Sequence, residues 1–275
     1  MQYKPKVKAP QPELTHKIQN IMNEYKLTTV CEAAACPNRV ECYANNSATF
    51  MILGDVCTRA CSFCNVKTGH GALVESNEPE NLAKAIAALN LQYVVITSVD
   101  RDDLKDYGAE HFAACVSAVK KRNPKIKVEL LTPDFRFHRP SLEIITESDV
   151  YKLAHNQETV RRLSKRVRPQ SDYERSLKVL EYYASHSNAV IKSSLMLGLG
   201  EYEKDIYETM QDLLDVGVCE LTLGQYLQPT PRHHKVEKYY TSEFFEALKQ
   251  EAYGMGFKAV ASGILVRSSY FAQIL

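Results

Sequence analysis

Three closely spaced cysteines follow a short apolar run. Cys57, Cys61 and Cys64 have the spacing C-x3-C-x2-C. Thiolates are soft ligands that select iron–sulfur clusters or zinc. Because three thiolates on one tight loop can hold three irons of a cubane cluster and leave the fourth without a protein ligand, the spacing favours an open site where another molecule binds the metal. A closed zinc site, which needs a fourth ligand from elsewhere, is the alternative.

A second triplet of cysteines lies upstream of the first. Cys31, Cys36 and Cys42 are spaced C-x4-C-x5-C, and a fourth ligand is again missing from the local sequence. Taken alone, this group fits a zinc knuckle as well as an iron–sulfur cluster. The two other cysteines, Cys115 and Cys219, stand on an apolar helix face and at the start of an apolar strand, so we expect both to be core residues.

Composition excludes several classes of protein. The formal net charge of +1 lacks the basic excess of a general nucleic-acid binder. A chain of 275 residues without a signal-peptide pattern does not resemble a small disulfide-bonded secreted domain, and clustered thiols in a reducing compartment are more often metal ligands. No segment reaches the roughly 20 apolar residues of a membrane span. We therefore expect a cytoplasmic protein that binds neither nucleic acid nor membrane.

Short apolar runs alternate with helical patterns from about residue 49 onward. This alternation predicts parallel strands, since parallel neighbours need crossover connections. Roughly six βα units fit an α/β fold with a partial (βα)6 barrel of TIM type, whose ligands bind outside the carboxyl ends of the strands. We predict an N-terminal cluster-binding extension over 1–48, the barrel over 49–262 and a C-terminal segment over 263–275. The predicted strands are 48–53, 93–97, 126–131, 150–154, 189–197, 219–224 and 257–262.

The triplet at 57–64 resembles the signature of the radical S-adenosylmethionine superfamily, which has an aromatic residue before the last cysteine. The resemblance implies a 4Fe–4S cluster held by Cys57, Cys61 and Cys64, with S-adenosylmethionine chelated by the open iron. It also implies that Phe63 lies beside the adenine; without the resemblance, Phe63 would be a core residue. One electron from the cluster would break the C5′–sulfur bond, and the resulting 5′-deoxyadenosyl radical would abstract hydrogen from an unactivated C–H bond.

Further segments resemble the lipoyl synthase family, and the resemblance covers the chain from about Tyr3 to Tyr270. Three positions depart from the family's pattern: Ile264 replaces proline, Phe271 replaces histidine and Tyr107 replaces glycine. None of them is an expected cluster ligand, so they bear on fine geometry more than on activity. Besides the two triplets, the matching segments are TSVDRDDL (97–104), AHNQETV (154–160), LMLGLGE (195–201), TLGQYLQP (222–229) and VASGILVRSSY (260–270).

The same resemblance implies further ligands. An auxiliary 4Fe–4S cluster would be held by the upstream triplet and by the hydroxyl of Ser268 in the RSSY motif, with Ser269 as the alternative. From the residues alone, this motif is a polar tail. A hydroxyl is a labile ligand for iron compared with a thiolate, which suits a cluster that must be opened. Contacts to S-adenosylmethionine are expected from six residues, several of which are equally well explained by turns or helix caps. They are Thr97, Ser98, Asp100, Asn156, Glu158 and Lys192.

The activity implied by the resemblance is conversion of octanoyl groups to lipoyl groups. The octanoyl groups would be carried on lysines of lipoyl domains of 2-oxoacid dehydrogenase acyltransferases, or of the glycine-cleavage H protein. One radical would act at C6 and one at C8, and the auxiliary cluster would donate both sulfur atoms. The implied partners also include an electron donor such as flavodoxin or ferredoxin, and an iron–sulfur carrier protein. A methylthiotransferase, biotin synthase and a non-catalytic zinc scaffold are the alternatives.

A basic stretch over 161–168 has two interpretations. It contains four arginines and one lysine, and such a run is usually a solvated surface. The alternative is a docking face for an acidic lipoyl-carrying domain, with association steered by charge. Two adjacent histidines, His233 and His234, follow Pro231 and are predicted to lie in a loop and not in a metal site.

Overall fold

The computed structural model describes residues 12–44 and 48–270 of the chain. This part of the chain divides into two compact units. The first unit, here called the N-unit, comprises the described chain up to Arg59 together with Asn65–Lys152. The second, the C-unit, comprises Ala60–Cys64 and the described chain from Leu153 onward. Among the helices of these residues, none is long and apolar enough to cross a membrane.

The N-unit contains a mostly parallel sheet. Strands β2, β5 and β6 pair in parallel in the order β1-β2-β5-β6, and β1 joins β2 antiparallel. Strands β3 and β4 form a separate parallel ribbon. The strands are β1 (Thr28–Thr29), β2 (Thr49–Ile52), β3 (Val56–Cys57), β4 (Lys67–Thr68), β5 (Tyr93–Ser98) and β6 (Lys127–Leu131). The helices are α1 (Pro12–Glu24), α2 (Val30–Ala33), α3 (Arg39–Ala44), α4 (Glu78–Ala88), α5 (Ala109–Arg122) and α6 (Arg139–Thr146), with a 3-10 turn at Phe135–Phe137.

Hydrophobic periodicity explains why α5 forms and which face it buries. Phe112, Val116 and Val119 recur at helical spacing, and all three are buried. Cys115 lies on the same face with no exposed surface, which confirms that it is a core residue. The helix ends at Arg122, directly before Asn123-Pro124, because proline cannot continue a helix.

The C-unit continues the same pattern. Its strands have the order β7-β8-β9-β10, and β9 pairs in parallel with both β8 and β10. The strands are β7 (Lys152–Ala154), which starts at the last residue of the N-unit, β8 (Val190–Leu197), β9 (Glu220–Gln225) and β10 (Ala259–Gly263). The helices are α7 (Arg161–Val167), α8 (Tyr173–His186), α9 (Glu203–Asp215) and α10 (Ser242–Met255).

The N-terminus of α8 differs from the sequence prediction by one residue. Ser171 and Glu174 have the spacing of a capping box, which predicts Ser171 as the N-cap, but the N-cap is Asp172, whose side chain accepts the N–H of Arg175 at 2.9 Å. Both residue types satisfy free N–H groups in the first helical turn, so the sequence alone does not choose between neighbours. The next helix, α9, has the predicted apolar face, with Ile206, Met210 and Leu213 buried.

The order of elements confirms the α/β fold class. Within the described residues, six strands are each followed by a helix that packs beside the sheet, and β10 then completes the series. The six pairs are β2 with α4, β5 with α5, β6 with α6, β7 with α8, β8 with α9, and β9 with α10. The parallel pairing and this count agree with a partial barrel of TIM type. The domain boundaries at 48 and 262 remain predictions.

Two of the three departures from the family pattern lie in the described residues. Tyr107 has a φ of 57°, in the left-handed region that favours glycine, which gives a physical reason for the glycine usual at this position. Its ring contacts His138 edge-on, with centroids 5.6 Å apart. Ile264 lies in the turn after β10, and Phe271 lies outside the described residues.

Candidate metal and cofactor site

The upstream cysteine triplet lies on two short helices and the turn between them. Cys31 is in α2, Cys42 is in α3, and Cys36 lies in the connecting turn, where its N–H donates to the carbonyl of Cys31 at 3.0 Å. Thr29 caps α2, because its hydroxyl accepts the N–H of Glu32 at 3.3 Å. Local capping and turn bonds therefore fold the triplet into a compact segment of the N-unit.

Thiols of this triplet influence one another's ionisation. Burial and, to a smaller extent, the neighbouring Cys36 together raise the pKa of Cys31 to about 11. Burial likewise raises the pKa of Cys42 to about 12, with Cys31 and Cys36 as the next causes. Three thiols within one short segment are a donor set whose chemistry fits iron. Since metal ligands must be thiolates, metal binding here must displace protons.

The first cysteine of the other triplet receives backbone hydrogen bonds. Cys57 ends β3, and its sulfur accepts the N–H of Arg59 at 3.4 Å and the N–H of Asp100 at 3.3 Å. A carboxylate oxygen of Asp100 lies 3.6 Å from the same sulfur. Backbone donors directed at a sulfur stabilise its thiolate form, which is the form that binds iron.

Thr58 ties this loop to the segment that follows β5. Its N–H and its hydroxyl both donate to the carbonyl of Asp100, at 3.0 and 2.9 Å. Its hydroxyl also accepts the N–H of Asp102 at 3.0 Å. The loop that starts at Cys57 is therefore fixed to the carboxyl end of β5, where ligands of a parallel sheet bind.

Arg59 forms a buried ionic cluster that the sequence analysis did not identify. Its guanidinium lies 3.2 Å from Asp100, 2.7 Å from Asp102 and 2.7 Å from Asp134, and 2% of its side chain is exposed. Burial lowers the pKa of Arg59, but these three carboxylates outweigh that effect and raise it above its ordinary value. Burial would raise the pKa of Asp102, but hydrogen bonds from Arg59 and Arg136 outweigh it and lower the pKa. These ion pairs therefore favour the charged forms of Arg59 and Asp102.

The two other cysteines of this triplet lie in the C-unit. The N–H of Cys64 donates to the carbonyl of Cys61 at 3.1 Å, and Ser62 between them donates twice to the carbonyl of Val167, at 2.9 and 3.1 Å. His233 was predicted to be a loop residue, and its ring Nε2 lies 3.0 Å from the carbonyl of Cys64. In the tautomer with a proton on Nε2, His233 donates to this carbonyl and fixes the end of the cysteine loop.

The six cysteines of the two triplets, all within the described residues, form no disulfide. Across residues 12–44 and 48–270, no three or more His, Cys, Asp or Glu side chains are preassembled in a metal-binding group. Cys31 is buried and the other five cysteines of the triplets are half-buried. The donor chemistry fits iron–sulfur clusters, and their assembly would bring the thiols of each triplet closer together.

Polar residues at the end of β5 have different partners. Thr97 donates its hydroxyl to the carbonyl of Leu131 at 2.8 Å, so this hydroxyl already has a role inside the sheet. The hydroxyl of Ser98 is buried, and no hydrogen-bond partner for it occurs within the described ranges. A buried hydroxyl without a partner is costly unless a ligand satisfies it. Ser98 therefore fits a ligand contact better than Thr97 does.

Asn156 and Glu158 form a pair after β7. Asn156 donates to a carboxylate oxygen of Glu158 at 3.0 Å, and its own side-chain oxygen is buried without a hydrogen-bond partner among the described residues. Burial raises the pKa of Glu158, while Arg168 and the bond from Asn156 oppose the rise. Glu158 also has a φ of 66°, a strained backbone conformation of the kind that clusters at ligand sites.

Lys192 lies far from the ligand-binding end of its strand. It is 1% exposed and stands five residues before the end of β8, roughly 16 Å at the rise of a β-strand. Its register partner on β9 is Glu220, which is also buried. Opposite charges at paired strand positions attract each other, so this geometry favours a structural ion pair over a cofactor contact.

The predicted ligand Ser268 lies in a turn of the C-unit. Residues 268–270 follow β10 after a first turn, and the N–H of Tyr270 donates to the carbonyl of Arg267 at 3.0 Å. Both Ser268 and Ser269 are half-buried, so the choice between them stays a prediction. Phe63 is half-buried as well.

Most arginines of the basic stretch pair with acids of the same unit. Arg161 binds Asp212 at 3.0 Å and also contacts Glu174. Arg162 binds Asp205 at 2.9 Å and donates to the carbonyl of Gly200 at 2.8 Å. These contacts neutralise much of the stretch's charge and favour a surface with internal ion pairs over a docking face.

Comparison with known proteins agrees with this arrangement. The sequence profile of the Radical SAM superfamily matches residues 51–213. The chain is 13% identical to Streptococcus suis SuiB in its S-adenosylmethionine-bound crystal structure, with a TM-score of 0.61 over 82% of this chain, and it spans 53% of SuiB. It is 13% identical to methylornithine synthase (PylB), with a TM-score of 0.56 over 90% of this chain and 85% of that one. These two likenesses concern the fold alone.

The fold and the profile match define a class: this is a radical S-adenosylmethionine enzyme, and such enzymes bind a 4Fe–4S cluster and S-adenosylmethionine. Curated relatives identify the family within this superfamily. The chain is 47% identical over 271 residues to the lipoyl synthase of Chromobacterium violaceum, covering 98% of this chain and 86% of the relative. It is 47% identical over 270 residues to that of Flavobacterium johnsoniae, covering 98% and 93%. The chain belongs to the lipoyl synthase family.

Proposed function

We propose that this chain inserts two sulfur atoms, at C6 and C8, into octanoyl groups held on lysines of carrier proteins. The observation that carries the proposal is the pair of cysteine triplets in a chain 47% identical to a lipoyl synthase over 98% of its length. The carriers are lipoyl domains of 2-oxoacid dehydrogenase acyltransferases or the glycine-cleavage H protein. Flavodoxin or ferredoxin supplies electrons, an iron–sulfur carrier protein delivers iron and sulfide, and the reaction takes place in the cytoplasm.

The radical-forming cluster would be held by Cys57, Cys61 and Cys64. When bound, it supplies the electron that cleaves S-adenosylmethionine to give a radical able to take hydrogen from C6 and C8. The chain's own contribution is to hold the ligand loop. Backbone N–H groups of Arg59 and Asp100 donate to the sulfur of Cys57 and favour its thiolate.

The auxiliary cluster would be held by Cys31, Cys36, Cys42 and Ser268. When bound, it is the source of the inserted sulfur. The mutual influence of the three thiols on their pKa values supports this donor set. Since Cys31 and Cys42 are largely protonated near neutral pH in the free protein, cluster assembly releases protons and is favoured by higher pH.

S-adenosylmethionine would be oriented by polar groups at the end of β5 and after β7. Ser98 and Asn156 each offer a buried oxygen that has no hydrogen-bond partner within the described residues. Glu158 and Asp100 are carboxylates suited to an ammonium group or to ribose hydroxyls. Phe63 is assigned to the adenine, while the hydroxyl of Thr97 is already bonded within the sheet.

Metal analysis tests the two-cluster arrangement. Iron and acid-labile sulfide are measured after anaerobic reconstitution of the wild type and of two triple variants, one for each cysteine triplet. About eight irons in the wild type and about four in each triple variant are expected from two independent 4Fe–4S clusters. Zinc without sulfide at the upstream triplet, or a single cluster in the wild type, would contradict the sulfur-insertion assignment. The variants are Cys31→Ala/Cys36→Ala/Cys42→Ala and Cys57→Ala/Cys61→Ala/Cys64→Ala.

A further inference from the structure

Two glycines face each other near the carboxyl ends of β9 and β10. Gly224 and Gly263 are register partners in this parallel pair. Gly224 is the fifth of six residues of β9, and Gly263 is the last residue of β10. Neither glycine has a left-handed φ, so the backbone conformation does not require glycine at these positions. The reason for glycine must therefore be space.

The space beside Gly224 is filled by the backbone of Val266. A Cβ atom on Gly224 would lie 3.0 Å from the carbonyl carbon of Val266, and closer still to its oxygen. It would also lie 3.4 Å from the guanidinium nitrogen Nη1 of Arg267. Real Cβ atoms do not approach backbone so closely, and a carbonyl cannot rotate away as a side chain can. Any side chain at 224 must displace the segment that contains Val266.

The chain reaches this contact through a tight turn. The N–H of Val266 donates to the carbonyl of Gly263 at 3.1 Å, so the chain reverses directly after β10 and lays Val266 over Gly224. A second turn follows, closed by the N–H of Tyr270 and the carbonyl of Arg267 at 3.0 Å. Residues 267–270 are thereby held at the carboxyl end of β9, the end of a parallel sheet at which ligands bind.

We propose that Gly224 is a positioning residue for Ser268. It lets the backbone at Val266 come into contact with β9 and so determines the position of the Ser268 hydroxyl relative to the end of that strand. The inference rests on the proposed function, in which this hydroxyl binds the auxiliary cluster. A ligand atom must be held within about 0.5 Å of its place, and a methyl group at 224 would move the segment by more than that.

Iron spectroscopy of the full-length chain tests the inference. Wild type, Gly224→Ala and Ser268→Ala are reconstituted anaerobically with Mössbauer-active iron. In the wild type, an oxygen-ligated iron gives a quadrupole doublet distinct from those of thiolate-ligated irons. We expect Gly224→Ala and Ser268→Ala to lose this doublet, while Gly224→Ala keeps the wild-type rate of dithionite-driven S-adenosylmethionine cleavage. Retained cleavage shows that the fold and the other cluster are intact.

A matched glycine variant serves as the control. Gly254 lies inside α10, and nothing lies within 4 Å of the position that a methyl group would take there, so Gly254→Ala should keep the doublet. If Gly224→Ala is insoluble, Gly263→Val is used to test whether displacing the turn at Val266 removes the doublet. A Cβ on Gly263 lies 3.3 Å from the Val266 side chain, so the larger valine side chain presses on the same turn. Loss of the doublet in that variant supports the inference, and a wild-type spectrum overturns it.

Different results would contradict the ligand assignment of Ser268 and the positioning role of Gly224. A wild-type spectrum in Ser268→Ala would overturn the ligand assignment, and the inference with it. A changed spectrum in Ser268→Ala together with a wild-type spectrum in soluble Gly224→Ala would overturn only the positioning role of Gly224. Loss of the doublet in the control Gly254→Ala would also overturn that role, since the effect would then not depend on contact with Val266.

Discussion

A guanidinium nitrogen of Arg59 lies 2.7 Å from a carboxylate oxygen of Asp134, and the two side chains are 2% and 0% exposed. Arg59 lies between Cys57 and Cys61 of the C-x3-C-x2-C triplet, whereas Asp134 follows β6. The same guanidinium binds Asp102, which follows β5. A single buried cation thus joins the ligand loop to the carboxyl ends of two strands.

Removing this cation should destabilise the protein strongly. We expect Arg59→Gln to lower the free energy of unfolding by about 3–5 kcal/mol, because it leaves buried carboxylates without their counter-ion. Arg59→Lys should recover part of the loss, since it restores the charge but not the two-pronged geometry. Urea unfolding of the metal-free protein measures both effects. The matched control is Arg136→Gln, which removes the other, 38% exposed partner of Asp102 and should cost less than about 1 kcal/mol. Equal losses in Arg59→Gln and Arg136→Gln would contradict the account.

Asp102 should make stability depend on pH in the acid range. Its pKa in the folded protein is lower than usual, so its carboxylate form stabilises the fold. That contribution is fully present above the ordinary carboxyl pKa of about 3.9 and is lost as the pH falls through the lower folded value. The difference in unfolding free energy between wild type and Asp102→Asn should thus be constant near neutral pH and shrink in acid. Urea titrations at several pH values measure it.

An exposed carboxylate provides the control for Asp102. Asp55 pairs with Lys67 at 2.9 Å, and its side chain is 49% exposed. Asp55→Asn should change stability by less than about 1 kcal/mol at any pH, because exposed pairs are screened by water. A difference between wild type and Asp102→Asn that grows as the pH falls would contradict the predicted sign.

Lys192 should matter for stability and not for S-adenosylmethionine binding. Lys192→Met leaves Glu220 buried beside an apolar side chain, so we expect a loss of about 3–5 kcal/mol in unfolding free energy. Lys192→Met/Glu220→Leu should recover much of it. The dissociation constant for S-adenosylmethionine, measured on reconstituted protein, should stay within about twofold of wild type. A tenfold rise in this dissociation constant with unchanged stability would show instead that Lys192 contacts S-adenosylmethionine.

Removing either of the two neighbouring hydroxyls at the end of β5 should affect a different property, S-adenosylmethionine binding in one case and stability in the other. Ser98→Ala removes a hydroxyl without a hydrogen-bond partner in the described residues, so stability should hardly change. Its dissociation constant for S-adenosylmethionine should rise about tenfold, the equivalent of roughly 1.4 kcal/mol. Thr97→Val removes a bond to the carbonyl of Leu131 and should cost about 1 kcal/mol of stability with unchanged binding. The reverse pattern in the two variants would show that the residues had been assigned to the wrong roles.

Local patterns predicted much of the fold. The apolar period of α5 and the proline after it gave its buried face and its end, because both act within a few residues. The location of Cys31, Cys36 and Cys42 in one short segment was also readable from their spacing. The choice between Ser171 and Asp172 as a helix cap was not, since both residue types cap helices well.

Contacts between distant segments could not be predicted. Arg59 stood inside a recognised motif, but its partner Asp134 is separated from it by two strands of the sheet, so no local pattern links the two residues. The contact of Gly224 with Val266 is similarly long-range. Lys192 lies inside the predicted strand 189–197, but its pairing with Glu220 depends on the strand register, which the sequence pattern did not specify.

The most direct test of the central claim is a single-turnover reaction with isotopically labelled protein. The chain is reconstituted with iron and heavy-isotope sulfide and mixed anaerobically with an octanoylated lipoyl domain, S-adenosylmethionine and dithionite. Mass spectrometry then follows the carrier. The account predicts a lipoyl product carrying two heavy sulfur atoms, two molecules of 5′-deoxyadenosine for each product, and no product from Cys31→Ala/Cys36→Ala/Cys42→Ala. Sulfur of natural isotope in the product, or lipoyl formation by that triple variant, would contradict it.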